Sequence, residues 1–300
     1  MPQRILYVFN HKAGANNRID IQDCFKKHSE KKHDISSFYQ LGEDPFREIE
    51  KRVDTFKPDV IVAAGGDGTL HMIANIIKNR DISLLMIPAG SANGMAKEFD
   101  MPEDPETCLK LLEEGKTVSI DLLKINDVVS IHLADVGLNA RIVRRFQMDR
   151  KRGMLTYAKY LFNEVFVIKI RRFFIEIDGK SRRVKAVSLT FANATKYGTG
   201  AVINPEGVLN DGLFEICIVK PFPRIHLASI ALKMFRNRLK YSEFFETIHC
   251  REAVVRSRRK TLLQVDGEIA GRVREIHMKV MPAALKVIIP NHLNYPTLID

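Results

Sequence analysis

No uncharged apolar run in this 300-residue chain approaches the roughly 20 residues that a membrane-spanning helix needs. The first residues, MPQRILYVFN, go straight into a strand pattern and lack the layout of a signal peptide. Cysteine is scarce. Cys24, Cys108, Cys217 and Cys250 stand far apart with no CxxC pair, which argues for reduced core thiols in a cytosolic protein and against disulfides or zinc ligation. Several chemistries lose their usual markers too. There is no GxxxxGK[ST] loop, no HRD or DFG set and no HExxH, and the nine histidines show no ligand spacing.

The content that remains is 45% apolar and 28% charged, the balance of a globular protein, in a length that suits one large domain or two ordinary ones. The net charge of +11 is unevenly placed: residues 1–125 carry −3 and the remainder +14. Basic clusters occur at Arg141, Arg144, Arg145, Arg150, Lys151 and Arg152, then over 180–185, 233–240 and 256–260. Such runs are either solvated faces or docks for an anionic surface. No zinc finger or RNP-like aromatic pattern accompanies them, so a nucleic-acid partner is not expected and a membrane surface is the better candidate.

The stretch Val60-Ile61-Val62-Ala63-Ala64 reads as a strand buried on both faces of a parallel sheet. Gly65-Gly66-Asp67-Gly68 turns the chain, and from Thr69 to Asn79 apolar residues at Leu70, Ile73, Ala74 and Ile77 have helical spacing. Glycines at such a turn let backbone approach an anion and offer it N–H groups, to which the helix start adds its dipole. An acid in the middle of an anion site has a use when a divalent cation accompanies phosphates. A capped strand-to-helix turn is the plainer alternative.

Around this unit, strands at 4–10, about 34–40 and 83–87 alternate with helices at about 17–31, one begun by Asp44-Pro45, and one at about 104–114. The alternation predicts a doubly wound parallel α/β domain over 1–125. The fourth strand runs into Pro88-Ala89-Gly90-Ser91-Ala92-Asn93-Gly94, in which Gly90 permits close approach and Ser91 can cap the next helix. Beyond Thr117 the pattern turns to β, with a hairpin signal at Asp178-Gly179. Further strands are expected at 213–219, 253–256, 261–265, 274–280 and 284–289, and an amphipathic helix over 223–240. Residues 126–289 are thus expected to form a β-sandwich.

Gly65-Gly66-Asp67-Gly68-Thr69 resembles the nucleotide signature of the diacylglycerol kinase catalytic family, which includes sphingosine and ceramide kinases. NAD kinases share the pentapeptide, but several other stretches extend the likeness beyond them. These are the PAGSAN loop, Asn10 to Gly14, Asp135 to Ala140, Gly153 to Tyr157, Asn193 with Tyr197 to Gly200, Asn-Asp-Gly-Leu at 210–213 and Val-Asp-Gly-Glu at 265–268. There are two departures. His11 stands where Pro is usual, and Gly94 where bacterial members carry an Asp of the magnesium–water network.

The resemblance implies ATP bound by Asn10, His11, Lys12, Ala13, Gly14, Gly65, Gly66, Asp67, Gly68, Thr69, Leu70, His71, Ser91 and Asn93. It implies Mg2+ held by Asp211 with the carbonyls of Val208 and Leu213. It also implies a general base at Asp266, with Glu268 as its neighbour and the choice between the two open, and a catalytic role for Asp67. A tail from about 290 is expected to return to the first domain. The implied activity is an ATP-dependent lipid kinase acting on a diacylglycerol-, sphingoid- or related lipid, cytoplasmic and peripherally attached to an anionic membrane through the basic C-terminal domain. Two alternatives stand beside it: a soluble-metabolite kinase of the NAD-kinase type, and a lipid- or nucleotide-binding protein with little catalysis, prompted by Gly94. The sequence leaves the acceptor lipid undecided and has room for a homodimer.

Overall fold

Val60–Gly65 (β3) is buried at every residue, as a run of small and β-branched apolar side chains with no polar member requires. Arg4–Phe9 (β1) pairs with it on one side and Ser83–Pro88 (β4) on the other, both parallel. Ile35–Gln40 (β2) extends the sheet beyond β1, and residues 286–288 extend it beyond β4, again in parallel. The computed structural model describes residues 3–10, 21–32, 35–40, 42–138, 140–141 and 169–293. It divides into two compact units, Met1–Ile120 with Ala283–Asp300, and Asp121–Pro282. The chain therefore returns to the first unit from Ala283, inside a strand, rather than from about 290.

In the first unit each helix begins where local chemistry favours it. Pro45–Phe56 (α2) and Pro105–Glu114 (α5) both start with proline, whose fixed φ suits a first helical position. Asp104 caps α5 by accepting from Thr107 N at 2.8 Å. Ile21–Lys32 (α1) packs on α5 and β1, while Asp67–Ile77 (α3) packs on β3 and α2. The apolar stripe of α3 (Leu70, Ile73, Ala74, Ile77) is buried, as its spacing predicts. In the tail, Lys116 Nζ donates to Leu293 O at 2.5 Å, and the Asn291 amide donates to Glu114 O.

The second unit is an antiparallel β-sandwich. Its strands are the end of Lys116–Ile125 (β5), Val128–Ser130 (β6), Leu133–Gly137 (β7), Arg171–Ile177 (β8), Lys180–Ala186 (β9), Ser188–Ala192 (β10), Phe214–Val219 (β11), Phe245–Cys250 (β12), Glu252–Val265 (β13) and the first part of Glu268–Ile289 (β14). One run of pairings is β12-β11-β10-β7-β13. The far end of β13 joins β7 through Leu263–Val265, and its near end joins β8 through Val254–Ser257, with a register shift between Arg256 and Thr261. A single buried core draws Leu123, Val136, Phe173, Phe191, Phe214, Val255, Leu263 and Met278 from seven strands. Two of the Asp-Gly pairs make two-residue turns with positive φ at each position, Asp178 (50°) and Gly179 (73°), Asp266 (47°) and Gly267 (87°).

Two expectations need correcting. The helix over 223–240 is shorter: Leu227–Phe235 (α6) lies between 3-10 turns at Arg224–His226 and Leu239–Tyr241, and Asn237 at φ 52° breaks the run. The strands are the second point: β5, β6, β7 and β12 are additional to those expected, and the pairs expected at 253–256 and 261–265 and at 274–280 and 284–289 each form one continuous strand, β13 and β14. All four cysteines are buried, and burial pushes the Cys108 and Cys250 thiols up to about 12 and Cys217 well above its usual value.

Candidate active site

Two loops meet at the carboxyl ends of β3 and β4. Their closest approach is glycine to glycine. A Cβ on Gly90 would lie 2.4 Å from Gly66 Cα, so neither position tolerates a side chain without moving backbone. Ala89 N donates to Gly65 O at 3.0 Å, and the Asp67 carboxylate reaches across to accept from Met95 N at 3.3 Å. Gly65 has a second constraint: a Cβ there would sit 2.6 Å from Thr69 Oγ1, so the buried Thr69 side chain packs under the turn. Helix α3 begins at Asp67, two residues earlier than expected, with Gly66 at its N-cap and no side chain capping it. Its first amides are thus left to a ligand or to water. Gly68 is exposed with nothing near its missing Cβ, while Leu70 faces the core. His71 is half-buried, its carbonyl accepting from Asn75 Nδ2 at 2.9 Å.

Ser91 does not cap the next helix. That helix, Gly94–Glu98 (α4), starts three residues later, and its N-cap is Asn93 in the left-handed region. The Asn93 side chain instead folds back on the loop: Oδ1 accepts from Gly90 N at 2.8 Å and Nδ2 donates to Gly90 O at 2.9 Å. Asparagine tolerates this backbone conformation better than most residues, and its amide serves both backbone groups. Ser91 is left exposed. Asn10, just past β1, is tied to β3 by its N–H to Ala64 O at 3.1 Å. His11, Lys12, Ala13 and Gly14 lie outside the described residues, as do Asn139, the stretch 153–157 and the basic residues from Arg144 to Arg152.

In the second unit, Val265 and Glu268 are paired across the Asp266-Gly267 turn. Asp266, expected as the base, has its carboxylate engaged elsewhere. Oδ1 accepts from Ser130 Oγ (2.6 Å), His132 N (3.1 Å) and Leu133 N (3.1 Å), and Oδ2 from Ile131 N (2.8 Å). Its own N–H donates to Leu133 O at 2.9 Å. With four donors on two oxygens, this side chain is the clamp that pins the 130–133 segment to the turn. Glu268, one residue past the turn, is exposed.

Behind the turn lies a group of buried polar residues to which the sequence reading assigned no role, although Asp135 and Tyr197 each open a stretch that carries the family likeness. Asp135, Thr190 and Gln264 occupy facing positions on β7, β10 and β13. Asp135 is 0% exposed. Its Oδ1 accepts from Thr190 Oγ1 (2.5 Å) and Tyr197 OH (2.9 Å), and its Oδ2 from Gln264 Nε2 (2.5 Å). An acceptor-only carboxylate orients the Gln264 amide, whose Oε1 then accepts from Gly267 N at 2.8 Å. This buried chain of hydrogen bonds therefore braces the turn that carries Glu268. Besides that likeness, the local signals were an acid in the otherwise apolar LADVG and a glutamine in TLLQV.

The Asn210-Asp211-Gly212-Leu213 turn is anchored from below by Asp121, also fully buried. Asp121 Oδ2 accepts from Gly212 N at 2.7 Å, and its N–H donates to Leu209 O at 2.7 Å. Asp211 is exposed, and its Oδ1 accepts from Leu213 N at 2.9 Å. Burial pushes the neighbouring Glu215 carboxyl above its usual range against hydrogen bonds from Asn204 and His249, and the Asp211 charge adds to the rise. An exposed carboxylate is the hard-oxygen ligand type that suits a cation keeping several waters. Among the described residues no cluster of three or more His, Cys, Asp or Glu exists. A cation at Asp211 would therefore take the rest of its shell from backbone and water.

Residues 4–125 match the model of the diacylglycerol kinase catalytic domain, and residues 133–289 that of the YegS C-terminal NAD kinase beta sandwich-like domain. A protein of Mycobacterium tuberculosis named diacylglycerol kinase is 27% identical over 243 residues, covering 78% of each chain. A Pseudomonas putida protein named "Probable lipid kinase YegS-like" is 27% identical over 235 residues, 77% of each. A solved structure from Bacillus anthracis aligns over 97% of this chain and 99% of that one with a TM-score of 0.80, which at 17% identity speaks to the fold alone. With the two family models together spanning nearly the whole described fold, the chain belongs to the diacylglycerol kinase catalytic family and carries its YegS-type β-sandwich.

Proposed function

We propose that this chain is an ATP-dependent lipid kinase that transfers the γ-phosphoryl group to a hydroxyl of a diacylglycerol-, sphingoid- or related lipid. The observation that carries the reading is the glycine-to-glycine contact of the β3–α3 and β4–α4 loops, with the uncapped start of α3 and the Asp67 carboxylate beside it. Backbone amides at such a place hold phosphates without side-chain crowding. Asn93, by bracing Gly90 on both its polar groups, keeps the second loop in register for that contact.

In the transfer, the bond between the γ-phosphorus and its bridging oxygen breaks and a new bond forms to the lipid oxygen, whose proton goes to a carboxylate of this chain. We assign that carboxylate to Glu268 rather than Asp266, because four donors converge on the Asp266 oxygens to hold the 130–133 segment, and Glu268 is solvent-exposed at the end of the turn, where an acceptor hydroxyl can reach it. Asp266, Gln264 and Asp135 hold the turn on which Glu268 sits. Mg2+ beside the Asp67 carboxylate would spread the phosphate charge, and a separate, structural Mg2+ would be held within the sandwich by Asp211 with the carbonyls of Val208 and Leu213. A lipid acceptor places the reaction at a bilayer, and the +14 charge beyond residue 125 suits an anionic one. Among the described residues no helix is long and apolar enough to cross it.

The test is transfer of radiolabelled γ-phosphate from ATP to an extracted lipid mixture, resolved by chromatography, with the wild-type chain and Asp67→Asn. The variant keeps an oxygen for Met95 N but loses the charge, so labelled lipid should form with the wild type and fall about 10²-fold or more with the variant. Label on a soluble metabolite instead of lipid, or full activity of Asp67→Asn, would overturn the reading.

A further inference from the structure

Helix α6 wears its apolar stripe on the outside. Ile225, Ala228, Ser229, Leu232 and Phe235, spaced as one helical face, are all exposed, and Ile230 is the buried residue of the helix. The exposure of the large members is 84% for Ile225, 49% for Leu232 and 59% for Phe235, with Tyr241 beside them at 71%. Apolar surface gathered this way on one face is uncommon unless something covers it.

The charge around the stripe says what the cover is. From Lys220 to Ser242 the chain has six cations and no acid. Lys220 and Lys240 reach Glu246 and Glu206, whereas among the described residues no ion pair engages Lys233, Arg236 or Arg238. These three line a cavity of about 560 Å³ with Ser229, Leu232 and Tyr241, open beside the apolar stripe. Three cations with two hydroxyls beside exposed leucine and phenylalanine match the two layers of an anionic bilayer, phosphate headgroups at one depth and acyl chains just below. The nine residues of α6 are too few to span, so the helix would lie in the interface.

We infer that α6 and its flanking turns are the membrane-docking surface of the protein. The Ile225–Leu232–Phe235 stripe sits among the acyl chains, and the Lys233, Arg236 and Arg238 cavity takes a lipid phosphate headgroup. The inference rests on the lipid-kinase reading above for its choice of a bilayer. Its geometry is independent of the chemistry, because the stripe uses none of the residues assigned to nucleotide, metal or proton transfer.

The experiment is sedimentation of the full chain with vesicles of phosphatidylcholine alone and of phosphatidylcholine mixed with phosphatidylglycerol, over a range of salt. The wild type should bind the anionic vesicles and lose binding as salt rises. Leu232→Ser with Phe235→Ser should weaken binding roughly tenfold or more. Arg236→Ser with Arg238→Ser should do the same and flatten the salt dependence. All these side chains are exposed, so both double variants should melt as the wild type does and phosphorylate a detergent-dispersed short-chain lipid at its rate. Unchanged vesicle binding by either variant, or equal wild-type binding to neutral and anionic vesicles, overturns the docking surface. So does a wild-type dimer in light scattering that Leu232→Ser with Phe235→Ser dissociates, since the stripe would then belong to a second copy. A chain that binds vesicles through the stripe yet phosphorylates no lipid supports the docking and overturns the kinase reading; one that phosphorylates lipid and ignores vesicles does the reverse.

Discussion

Two carboxylates one methylene apart in chemistry and two positions apart in sequence, Asp266 and Glu268, are in very different situations. Asp266 is surrounded by one hydroxyl and three backbone amides that need an acceptor. Glu268 faces water. If Glu268 takes the proton, Glu268→Gln should lower lipid phosphorylation about 10²–10⁴-fold while leaving thermal stability and ATP affinity near wild type. Asp266→Asn should show the other signature. It places an amide where four donors converge, so stability should fall together with activity, by about 1–3 kcal/mol for a disrupted half-buried acceptor, read as a lower melting temperature. Measuring both rate and melting for each variant separates base from clamp, and loss of activity in Asp266→Asn at full stability would return the base to Asp266. Nothing in Val-Asp-Gly-Glu distinguishes these roles, because the donors to Asp266 come from residues 130–133, more than 130 positions away.

At the scale of elements, much was legible. The parallel strands, the buried stripe of α3, the prolines opening α2 and α5 and both Asp-Gly hairpins follow from local periodicity and turn chemistry. The contact between the two nucleotide loops was not legible, since it depends on β3 and β4 being neighbours in the sheet. It carries a sharp prediction. In Gly90→Ala the new methyl meets Gly66 backbone at 2.4 Å, and backbone cannot rotate away as a side chain would. The loops must separate, at about 1–3 kcal/mol for overpacking of this kind. ATP affinity, read by calorimetry, should drop tenfold or more, while Gly68→Ala, with open space at its Cβ, should bind within a few-fold of wild type. Equal affinities for the two variants would show that the loop contact does not shape the nucleotide site.

For the whole molecule, a cation at the Asp211 turn would couple ligand binding to stability. The turn is roofed by an exposed carboxylate, floored by buried Asp121, and neighboured by a Glu215 carboxyl raised by its burial. A cation bound at Asp211 in the folded state alone would stabilise the sandwich by mass action, about 2.7 kcal/mol at a hundredfold excess over its Kd. Mg2+ should therefore raise the melting temperature of the wild-type chain and leave that of Asp211→Asn unmoved, with sodium at equal ionic strength as the control. A shift of the same size in both would place any magnesium effect elsewhere.

The sequence by itself determined the doubly wound unit and the β-rich half, the glycine turns and the family, because each is written in residues close together along the chain: a buried apolar run, a turn dipeptide, a pentapeptide. The tertiary structure alone decided which acid of the VDGE turn is occupied, that Asp135 governs Gln264 from a neighbouring strand, and that Asn93 rather than Ser91 braces the second loop. It also decided which side of α6 is left uncovered. Periodicity reports that a helix has an apolar side, but the same 3.6-residue repeat serves a core and a membrane. Only the neighbours that folding brings against that side, or leaves away from it, distinguish the two.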